Sequence, residues 1–523
     1  MLLPIPLRKL VTLATLFFCV HAISQTSRKP ARTNQEARAS QALRDASVNT
    51  GSLRAFLVRM PKGADLHMHL TGSIYAETFL DEAGTDGLCF DVVTQSLGEP
   101  PDNKSCIPGT QASVLGQKQI LYDGLVDSFS MRNFIPTAQQ SGHDHFFAAF
   151  KKYDAVSKVH RGDWLDEIAT RAAAQNEEYL EVMETLDDGH GASLGLKQSI
   201  QLLDNATDAD FAAAREKLLA ASLRDGVSAA TKVLDDAESR RRALEKCDTL
   251  AATPACAVTI RYLFQALRAL PREAVFAQTL LAFEVASADP RVVGINYVQP
   301  EDGYASLQNY ALEMRWLGWF HNLYPKVHIS LHAGELAPGL VPPSALSNHV
   351  RLAVEQAHAE RIGHGVDIMW EDNAGSLLKE MAAKHVMVEI NLTSNDLILD
   401  IKGKDHPLPN YRANQVPVAL STDDEGISRI DLTHEYIRAV QEFNLTYADL
   451  KKLARTSVAH TFLSGEDLWA ASDAFTKTAS ACAADTLGIE TPSQKCAAFL
   501  KSSEHARQEW ELERRFRAFE ASF

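Results

Sequence analysis

The chain has 523 residues, of which 46% are hydrophobic and 23% charged, so it can bury a large core and is not expected to be disordered. Its formal net charge is −15, from 67 acidic and 52 basic side chains. That balance argues against nucleic acid as a main partner, because phosphate binding needs clustered Lys and Arg.

The first residues have the pattern of a secretory signal peptide. Arg8 and Lys9 precede the apolar run 10–20, and Ala22 is a small residue of the kind that precedes a signal-peptidase cut. Cleavage near Ala22 removes residues 1–22 and leaves a mature charge of −17, which is 50 basic minus 67 acidic side chains. The apolar run is too short to favour the alternative of a retained membrane anchor. We therefore predict a secreted or periplasmic protein with no stable membrane insertion after cleavage.

From residue 58 onward, apolar runs typical of strands alternate with longer helical stretches. Several runs are continuously apolar, as in strands that are buried on both faces of a parallel sheet. Eight alternations predict an α/β fold, a (β/α)8 TIM barrel over residues 58–470. The predicted strands are Ala64–Leu70, Tyr179–Glu184, Val258–Phe264, Val292–Val298, Val327–Leu331, Arg361–Gly365, Val386–Ile390 and Val418–Ser421.

Three segments do not fit the repeating strand–helix pattern. Residues 23–57 are predicted to begin as a polar leader and to become helical toward Ala42–Leu57. The gap after the first strand is too long for one helix, so an inserted subdomain is predicted at about 85–135. Residues 471–523 are predicted to form a helical C-terminal tail after the barrel.

Six cysteines remain after signal cleavage, since Cys19 leaves with the signal peptide. An even number of cysteines in an exported protein indicates disulfides. The simplest connectivity joins nearest neighbours in the sequence, and free buried thiols are the alternative. The nearest neighbours are Cys89 with Cys106, Cys247 with Cys256, and Cys482 with Cys496.

Ionisable residues stand at the C-terminal ends of four predicted strands, where the active sites of such barrels form. His67 and His69 are two apart on the first strand, so both side chains point to one side. His332 follows the fifth strand and Asp423 the eighth. Three imidazoles and a carboxylate suit Zn²⁺ with an open position for water. We predict one zinc ion per chain, held by these four residues; for the His67–His69 pair alone, the alternative is two structural histidines.

Three further side chains at these strand ends can hold or transfer a proton. Glu335, close after His332, can donate a proton to a substrate nitrogen. The alternative role for this residue is structural, as a glutamate that interacts with backbone N–H groups at a helix N-terminus. His364 lies near the end of the sixth strand and fits a group that orients or deprotonates water. Asp424 is predicted to bind substrate or water, because neighbours on a strand point to opposite sides, and its alternative is a salt-bridged loop acid.

The same residues stand in four motifs that together resemble the adenosine deaminase family. The signal peptide, the cysteines and the inserted segment make the chain similar to the secreted branch, the adenosine deaminase-related growth factors. The resemblance covers roughly residues 55–470. The motifs are Met60–His69 (MPKGADLHMH), Ser330–Glu335 (SLHAGE), Arg361–Gly365 (RIGHG) and Ser421–Asp424 (STDD).

The resemblance implies a function and a role for each site residue. It places the zinc ligands of the family at the four positions predicted above. It makes Glu335 the acid that protonates purine N1, His364 the histidine that positions and deprotonates the zinc-bound water, and Asp424 the contact to that water and to purine N7. The implied reaction converts adenosine, and also 2′-deoxyadenosine, to the inosine product and ammonia. A small purine nucleoside is then the partner, and a homodimer is implied by resemblance alone.

Two departures from the family pattern affect the substrate pocket. Thr71 stands where the family often has an aspartate that binds the ribose, and it is assigned to substrate binding in its place. Gln299 stands where the fourth strand of the family ends in a glycine that contacts the purine. A glutamine there would crowd the purine edge or offer new hydrogen bonds, so another aminopurine or a modified adenosine is an alternative substrate.

Two other classes of protein are weighed against this interpretation. A two-metal amidohydrolase would carry a lysine for carbamylation at the end of the fourth strand, where this chain has Gln299 and Pro300. A non-catalytic nucleoside-binding or growth-factor-like protein would be indicated by loss of a ligand or of Glu335, and all of these are present.

Overall fold

A computed structural model describes residues 31–101, 104–156 and 158–523 of the chain. The predicted signal peptide and the first part of the predicted leader lie outside the described residues. Ten strands are present in this part of the chain. They are β1 Gly63–His69, β2 Cys89–Asp91, β3 Ser96–Gly98, β4 Glu177–Glu184, β5 Thr259–Leu267, β6 Val292–Val298, β7 His328–Ala333, β8 Arg361–His364, β9 Met387–Ile390 and β10 Val418–Leu420.

Eight of these strands form one parallel sheet in the order β1-β4-β5-β6-β7-β8-β9-β10, which confirms the predicted (β/α)8 barrel. All eight predicted strands are present, with ends that differ by at most a few residues. The sheet closes where Met68 of β1 bridges to Asp423 after β10. At this seam the Asp423 N–H donates to the His67 carbonyl at 2.8 Å, and the His69 N–H donates to the Asp423 carbonyl at 3.2 Å.

Helices surround the barrel and cover the apolar outer faces of its strands. None of the described helices is both long and apolar enough to cross a membrane. The helices up to the sixth barrel strand are α1 Ala31–Ala46, α2 Thr50–Leu57, α3 Ala76–Asp86, α4 Gln119–Ser128, α5 Gly142–Tyr153, α6 Arg161–Ala174, α7 His190–Lys197, α8 Asp208–Ala220, α9 Asp225–Glu245, α10 Arg272–Ala288, α11 Tyr304–Leu323 and α12 His349–Glu355. The remaining helices are α13 Ala374–Lys384, α14 Leu392–Leu399, α15 Leu408–Ala413, α16 Glu425–Ser428, α17 Leu432–Phe443, α18 Tyr447–Ala459, α19 Gln494–Ser502 and α20 Glu504–Ala521.

The long connection between β1 and β4 contains the antiparallel β2–β3 hairpin and the helices α3 to α6. A Cys89–Cys106 disulfide ties the hairpin to the loop that follows it. Helix α5 begins with a capping box, in which Ser141 and Asp144 satisfy each other's backbone N–H groups. This helix packs against α14, which follows the seventh barrel strand, so the connection reaches the C-terminal mouth of the barrel.

The N-terminal leader is helical over more of its length than predicted. Helix α1 begins at Ala31, whereas the sequence interpretation expected helix only toward Ala42–Leu57. The segment lacks a clear apolar stripe, but it is rich in Ala, Arg, Gln and Glu, which are strong helix formers. Packing of α1 against α18 and α20 supplies the tertiary contacts that a short helix needs.

The three disulfides have the predicted nearest-neighbour connectivity. They are Cys89–Cys106, Cys247–Cys256 and Cys482–Cys496. The third closes the loop before α19, and its two cysteines are fully buried in a small core of the C-terminal tail.

Replacing Cys482 and Cys496 together by Ala is expected to lower the free energy of unfolding of the tail by about 3 kcal/mol, since the disulfide closes a loop of moderate length. Urea unfolding monitored by tail fluorescence, for example at Trp510, would measure the loss. The double variant at Cys247 and Cys256 is the matched control, because it opens a shorter loop after α9. Equal unfolding of the tail in wild type and tail variant would contradict the prediction.

Candidate metal centre

The four predicted ligands converge at the C-terminal mouth of the barrel. The Nε2 atoms of His67 and His69 lie 3.1 and 3.2 Å from Nε2 of His332. Asp423 Oδ1 lies 3.5 Å from Nε2 of His67 and 3.3 Å from Nε2 of His69. All four side chains are almost fully buried. One small group of converging donor atoms therefore includes residues from β1, β7 and the end of β10.

The far nitrogen of each histidine ring faces an oxygen acceptor. His67 Nδ1 lies 2.6 Å from Glu389 Oε2, His332 Nδ1 lies 2.7 Å from Asn296 Oδ1, and His69 Nδ1 lies 3.1 Å from Gln265 Oε1. A neutral ring whose Nδ1–H donates to this acceptor directs its Nε2 lone pair into the centre, as a metal ligand must. Three lone pairs and a carboxylate oxygen would repel one another unless a cation lay between them.

The spacing of these four atoms fits a single small cation. Ligands about 2.0–2.1 Å from a tetrahedral ion are roughly 3.4 Å apart, and the four measured separations lie around this value. Three of the four donor atoms are imidazole nitrogens, and such a set suits a transition metal rather than Mg²⁺ or Ca²⁺. The residues present therefore fit a metal ion.

Two glycines leave the space that His67 and Asp424 occupy. A Cβ on Gly363, in β8, would lie 2.5 Å from Cε1 of His67. A Cβ on Gly72, in the turn after β1, would lie 1.5 Å from Oδ1 of Asp424. Any side chain at either position would displace a site residue, which explains the glycines beside His364 and Thr71 in the sequence.

Glu335 lies beside the centre in a turn after β7 and is almost fully buried. Its backbone is held by Glu301, whose carboxylate accepts the Gly334 N–H at 3.1 Å and the Glu335 N–H at 2.9 Å. His349 Nδ1 contacts the same carboxylate at 2.6 Å. Burial, followed by the negative charge of Asp423, holds the pKa of Glu335 well above its usual range. This shift favours the protonated carboxyl group, the form that can act as an acid.

His364 lies at the end of β8, with Nε2 3.7 Å from Glu335 Oε1 and 3.9 Å from Asp423 Oδ2. Burial lowers the pKa of His364 to about 3, so the ring is neutral. Its φ angle is +69°, and Asp423 and Gln299 also have positive φ angles, of +62° and +82°. Strained residues of this kind cost about 1–3 kcal/mol each and are typical of functional sites.

Asp424 follows Asp423 and is buried, and its Oδ1 atom has no hydrogen-bond partner among the described residues. Burial, together with the negative charge of Asp423, raises the pKa of Asp424 to about 8. A buried polar atom without a partner is costly, so its presence indicates a ligand or water that satisfies it. The salt-bridged loop acid that was the alternative for Asp424 is not what the structure shows.

The two residues that depart from the family pattern lie on the rim. Thr71 is half-buried in the turn after β1. Gln299 follows β6, and its Oε1 atom accepts the Ala269 N–H at 2.9 Å. The positive φ of Gln299 is a glycine-like conformation, so the backbone keeps the shape that a glycine would give it. The side chain bonds to the loop after β5 through its oxygen.

Sequence reasoning missed the residues that hold the site residues in place. Asn296, Glu389 and Gln265 orient the three ligand histidines, and Ser394 Oγ donates to Asp423 Oδ2 at 2.6 Å. The signal was present for Asn296 and Glu389, because each is a lone polar residue inside an apolar strand. A polar side chain in such a position needs a partner.

Glu389 is part of a buried charge network with Arg361 and Glu181. Arg361 Nε lies 2.8 Å from Glu389 Oε1, and Arg361 Nη2 lies 2.6 Å from Glu181 Oε2. Although burial opposes ionisation, the charge of Arg361 holds the pKa of Glu389 below its usual range. Glu389 is thus an ionised acceptor for His67.

Comparisons with known proteins agree with this geometry. A family model described as adenosine deaminase matches residues 241–475, a range that includes His332, Glu335, His364 and both aspartates. An adenosine deaminase from Clostridium perfringens is 37% identical over 142 residues, which are 26% of this chain and 39% of that protein. One from Vibrio atlanticus is 27% identical over 252 residues, 46% of this chain and 64% of that protein. Each match therefore spans less than two thirds of the relative.

A solved structure supports the fold. A zinc-bound amidohydrolase from Burkholderia ambifaria has a TM-score of 0.50 and 16% identity, over 80% of this chain and 89% of that chain. Fold and site together define a (β/α)8 barrel with a histidine–carboxylate centre at its C-terminal mouth. Within that class, the chain is similar to adenosine deaminases over the matched regions. The similarity to the growth-factor branch stays a prediction.

Proposed function

We propose that this protein is a zinc-dependent hydrolase that converts adenosine to inosine and ammonia, with 2′-deoxyadenosine as a second substrate. The observation that carries the proposal is the convergence of three imidazole Nε2 atoms and one carboxylate oxygen beside the buried Glu335, whose pKa is raised. The match to the adenosine deaminase family model supports the choice of a 6-aminopurine, and the bound zinc of the Burkholderia ambifaria amidohydrolase supports the choice of metal.

The side chains divide the proposed reaction between them. His67, His69, His332 and Asp423 would hold the ion, which when bound supplies a water of lowered pKa. Glu335 donates its proton to ring nitrogen N1 as C6 becomes tetrahedral, which removes negative charge from the ring. Asp424, which offers a carboxylate oxygen close to His69 and Asp423, would bind the attacking water and purine N7. His364 orients the same water. The burial of all these groups excludes bulk solvent from the reacting atoms.

An ammonia-release assay tests the proposed function directly. Purified protein would be incubated with nucleosides, free bases and nucleotides, with and without a chelator, and the bound metal would be identified by mass spectrometry. We expect release from adenosine that the chelator removes and that zinc restores. Binding of nucleosides without release would instead support the non-catalytic alternative.

A deaminase of another aminopurine or of a modified adenosine is the second candidate, and Gln299 is the residue that favours it. Thr71 would contact the ribose or its replacement on the other side of the mouth. Gln299 carries a side-chain amide at the place where the family pattern has no side chain.

Replacing Gln299 by Gly is expected to change the ranking of purine substrates by about tenfold in kcat/KM, as removal of one side chain from a pocket does. Stability should change by less than about 1 kcal/mol, because relief at a φ of +82° offsets loss of the bond to Ala269. Rates with adenosine and N6-substituted adenosines would measure the ranking. Gln415→Gly is the control, since Gln415 also has a positive φ, of +61°, outside the site. An unaltered ranking would remove Gln299 from substrate selection.

We also propose that the protein is exported, to the periplasm or beyond the cell, and that it forms a homodimer. The apolar run 10–20 and three disulfides support export, because disulfides persist in oxidising compartments. N-terminal sequencing of the mature protein would locate cleavage near Ala22. Sedimentation would give the number of subunits.

A further inference from the structure

A line of hydrogen bonds runs behind His364, on the side of the ring away from Nε2. It begins at the backbone N–H of Leu408, which donates to Nδ1 of His406 at 3.1 Å. His406 Nε2 lies 3.0 Å from Oδ1 of Asn395, and Asn395 Nδ2 lies 2.9 Å from Nδ1 of His364. Asn395 and His406 are fully buried, and the mechanism above uses neither of them.

The direction of this line is fixed at its start. A backbone N–H can only donate, so Nδ1 of His406 is an acceptor and its ring is neutral. Burial, which lowers the pKa of His406 to about 3, agrees with a neutral ring. The ring proton is then on Nε2 and is donated to Oδ1 of Asn395. The amide has only its NH2 group left for His364, so Nδ1 of His364 accepts, and the proton of a neutral His364 is on Nε2.

The surroundings of His364 Nε2 lead to the same tautomer independently. Glu335 Oε1 and Asp423 Oδ2 are the carboxyl oxygens nearest to this nitrogen, at 3.7 and 3.9 Å. The carboxylate of Asp423 would repel a lone pair on Nε2 but attracts an N–H. Asn391 Nδ2 lies 3.4 and 3.5 Å from the two ring nitrogens of His364 and so does not distinguish them.

We propose that Asn395 and His406 are positioning residues, which hold His364 with its proton on Nε2 as a hydrogen-bond donor to the oxygen of the attacking water. The proposal rests on the proposed function and revises one role within it. The family resemblance makes His364 the group that deprotonates the water. A neutral ring of this tautomer presents a hydrogen to that oxygen, so His364 orients the oxygen and does not remove its proton.

Asn395→Asp reverses the direction of the line and is the main test. A carboxylate can only accept, so Nδ1 of His364 must carry a proton, and in the neutral ring the lone pair then moves to Nε2. We expect turnover to fall by at least about 100-fold, as a wrong histidine tautomer does elsewhere, with zinc content retained and KM changed by less than about threefold. The ¹⁵N shifts of histidine-labelled, zinc-loaded protein, assigned with a His364→Gln variant, should show protonated Nε2 in wild type and protonated Nδ1 in Asn395→Asp.

Two variants of His406 test the start of the line. His406→Gln keeps an amide donor toward Asn395, so turnover is expected to stay within about threefold, whereas His406→Leu removes the donor and should lower turnover about tenfold. Asn414→Asp is the matched control for the added charge. Asn414 also donates from its amide, to the Asn410 carbonyl at 2.9 Å, but it lies at the end of α15 outside the site. Its turnover should equal that of wild type.

A wild-type His364 protonated on Nδ1 would overturn the proposal, and so would full turnover in Asn395→Asp. If Asn395→Asp does not fold, the wild-type spectrum and the two His406 variants decide the matter. If wild-type protein releases no ammonia from any substrate, the proposed function fails, while the nitrogen shifts still show whether His364 is held in the proposed tautomer.

Discussion

Glu335→Gln is expected to lower turnover by about 10²–10⁴-fold while the metal stays bound, because the amide keeps the size of the side chain but has no acidic proton to give. Glu335 contributes no atom to the four-atom donor group, so metal content should match wild type. The bond from its backbone N–H to Glu301 is independent of the side chain, so the turn after β7 should keep its shape. Steady-state ammonia release and metal analysis on the same preparation measure both effects.

The control for this variant is Glu371→Gln. Glu371 is also buried, and its carboxylate accepts the backbone N–H groups of Val350 and Arg351 at 2.7 and 3.2 Å. We expect that variant to lose stability but to keep its turnover. Full activity of a metal-loaded Glu335→Gln protein would show that the proton for N1 comes from another group.

Loss of the metal should have the second large effect, and His332→Ala is the variant that produces it. His332 Nε2 faces Nε2 of both His67 and His69, so its removal takes away the donor nearest to two others. Zinc content is expected to fall from about one ion per chain to less than about one tenth of that. Turnover should fall by more than the roughly 10–100-fold that is typical when a residue that only orients a ligand is changed. Metal analysis after dialysis, followed by the ammonia assay, provides the measurement.

His328→Ala is the matched control, because His328 lies on the same strand, β7, at its N-terminal end. Its ring is half-exposed there and pairs with Glu360 at 2.9 Å. That variant should bind zinc and turn over substrate as wild type does. Retention of stoichiometric zinc in His332→Ala would mean that the ion uses other ligands, such as His364.

The barrel could be predicted because its strands are apolar runs separated by helical stretches, and the ligand set could be predicted because it stands at strand ends. The errors in strand ends have physical causes. β5 continues to Leu267 instead of ending at Phe264, because polar Gln265 faces inward to His69 and has a partner there. A pattern that equates polarity with exposure ends the strand too early.

Other features of the site depend on three-dimensional contacts that no local pattern encodes. The direction of the Gln299 side chain follows from a loop 30 residues away in sequence. The bond between Asn395 and His364 joins two elements that lie 31 residues apart, and the role of His406 follows only from the neighbouring Leu408 N–H. Glu301 is one of two adjacent acids in a polar stretch after β6, and the sequence does not show that it holds the turn after β7.

The seam of the barrel gives the metal site a second consequence, for exchange kinetics. β1 and β10 meet through one bridge, Met68 with Asp423, in the part of the chain that the structure describes. His67 and His69 belong to β1, the first strand, whereas Asp423 directly follows the last strand, β10. An ion bound by all three would crosslink the first strand to the last, so it could leave only when the two strands separate locally. The dissociation rate of the ion would then report how often the barrel opens along its seam.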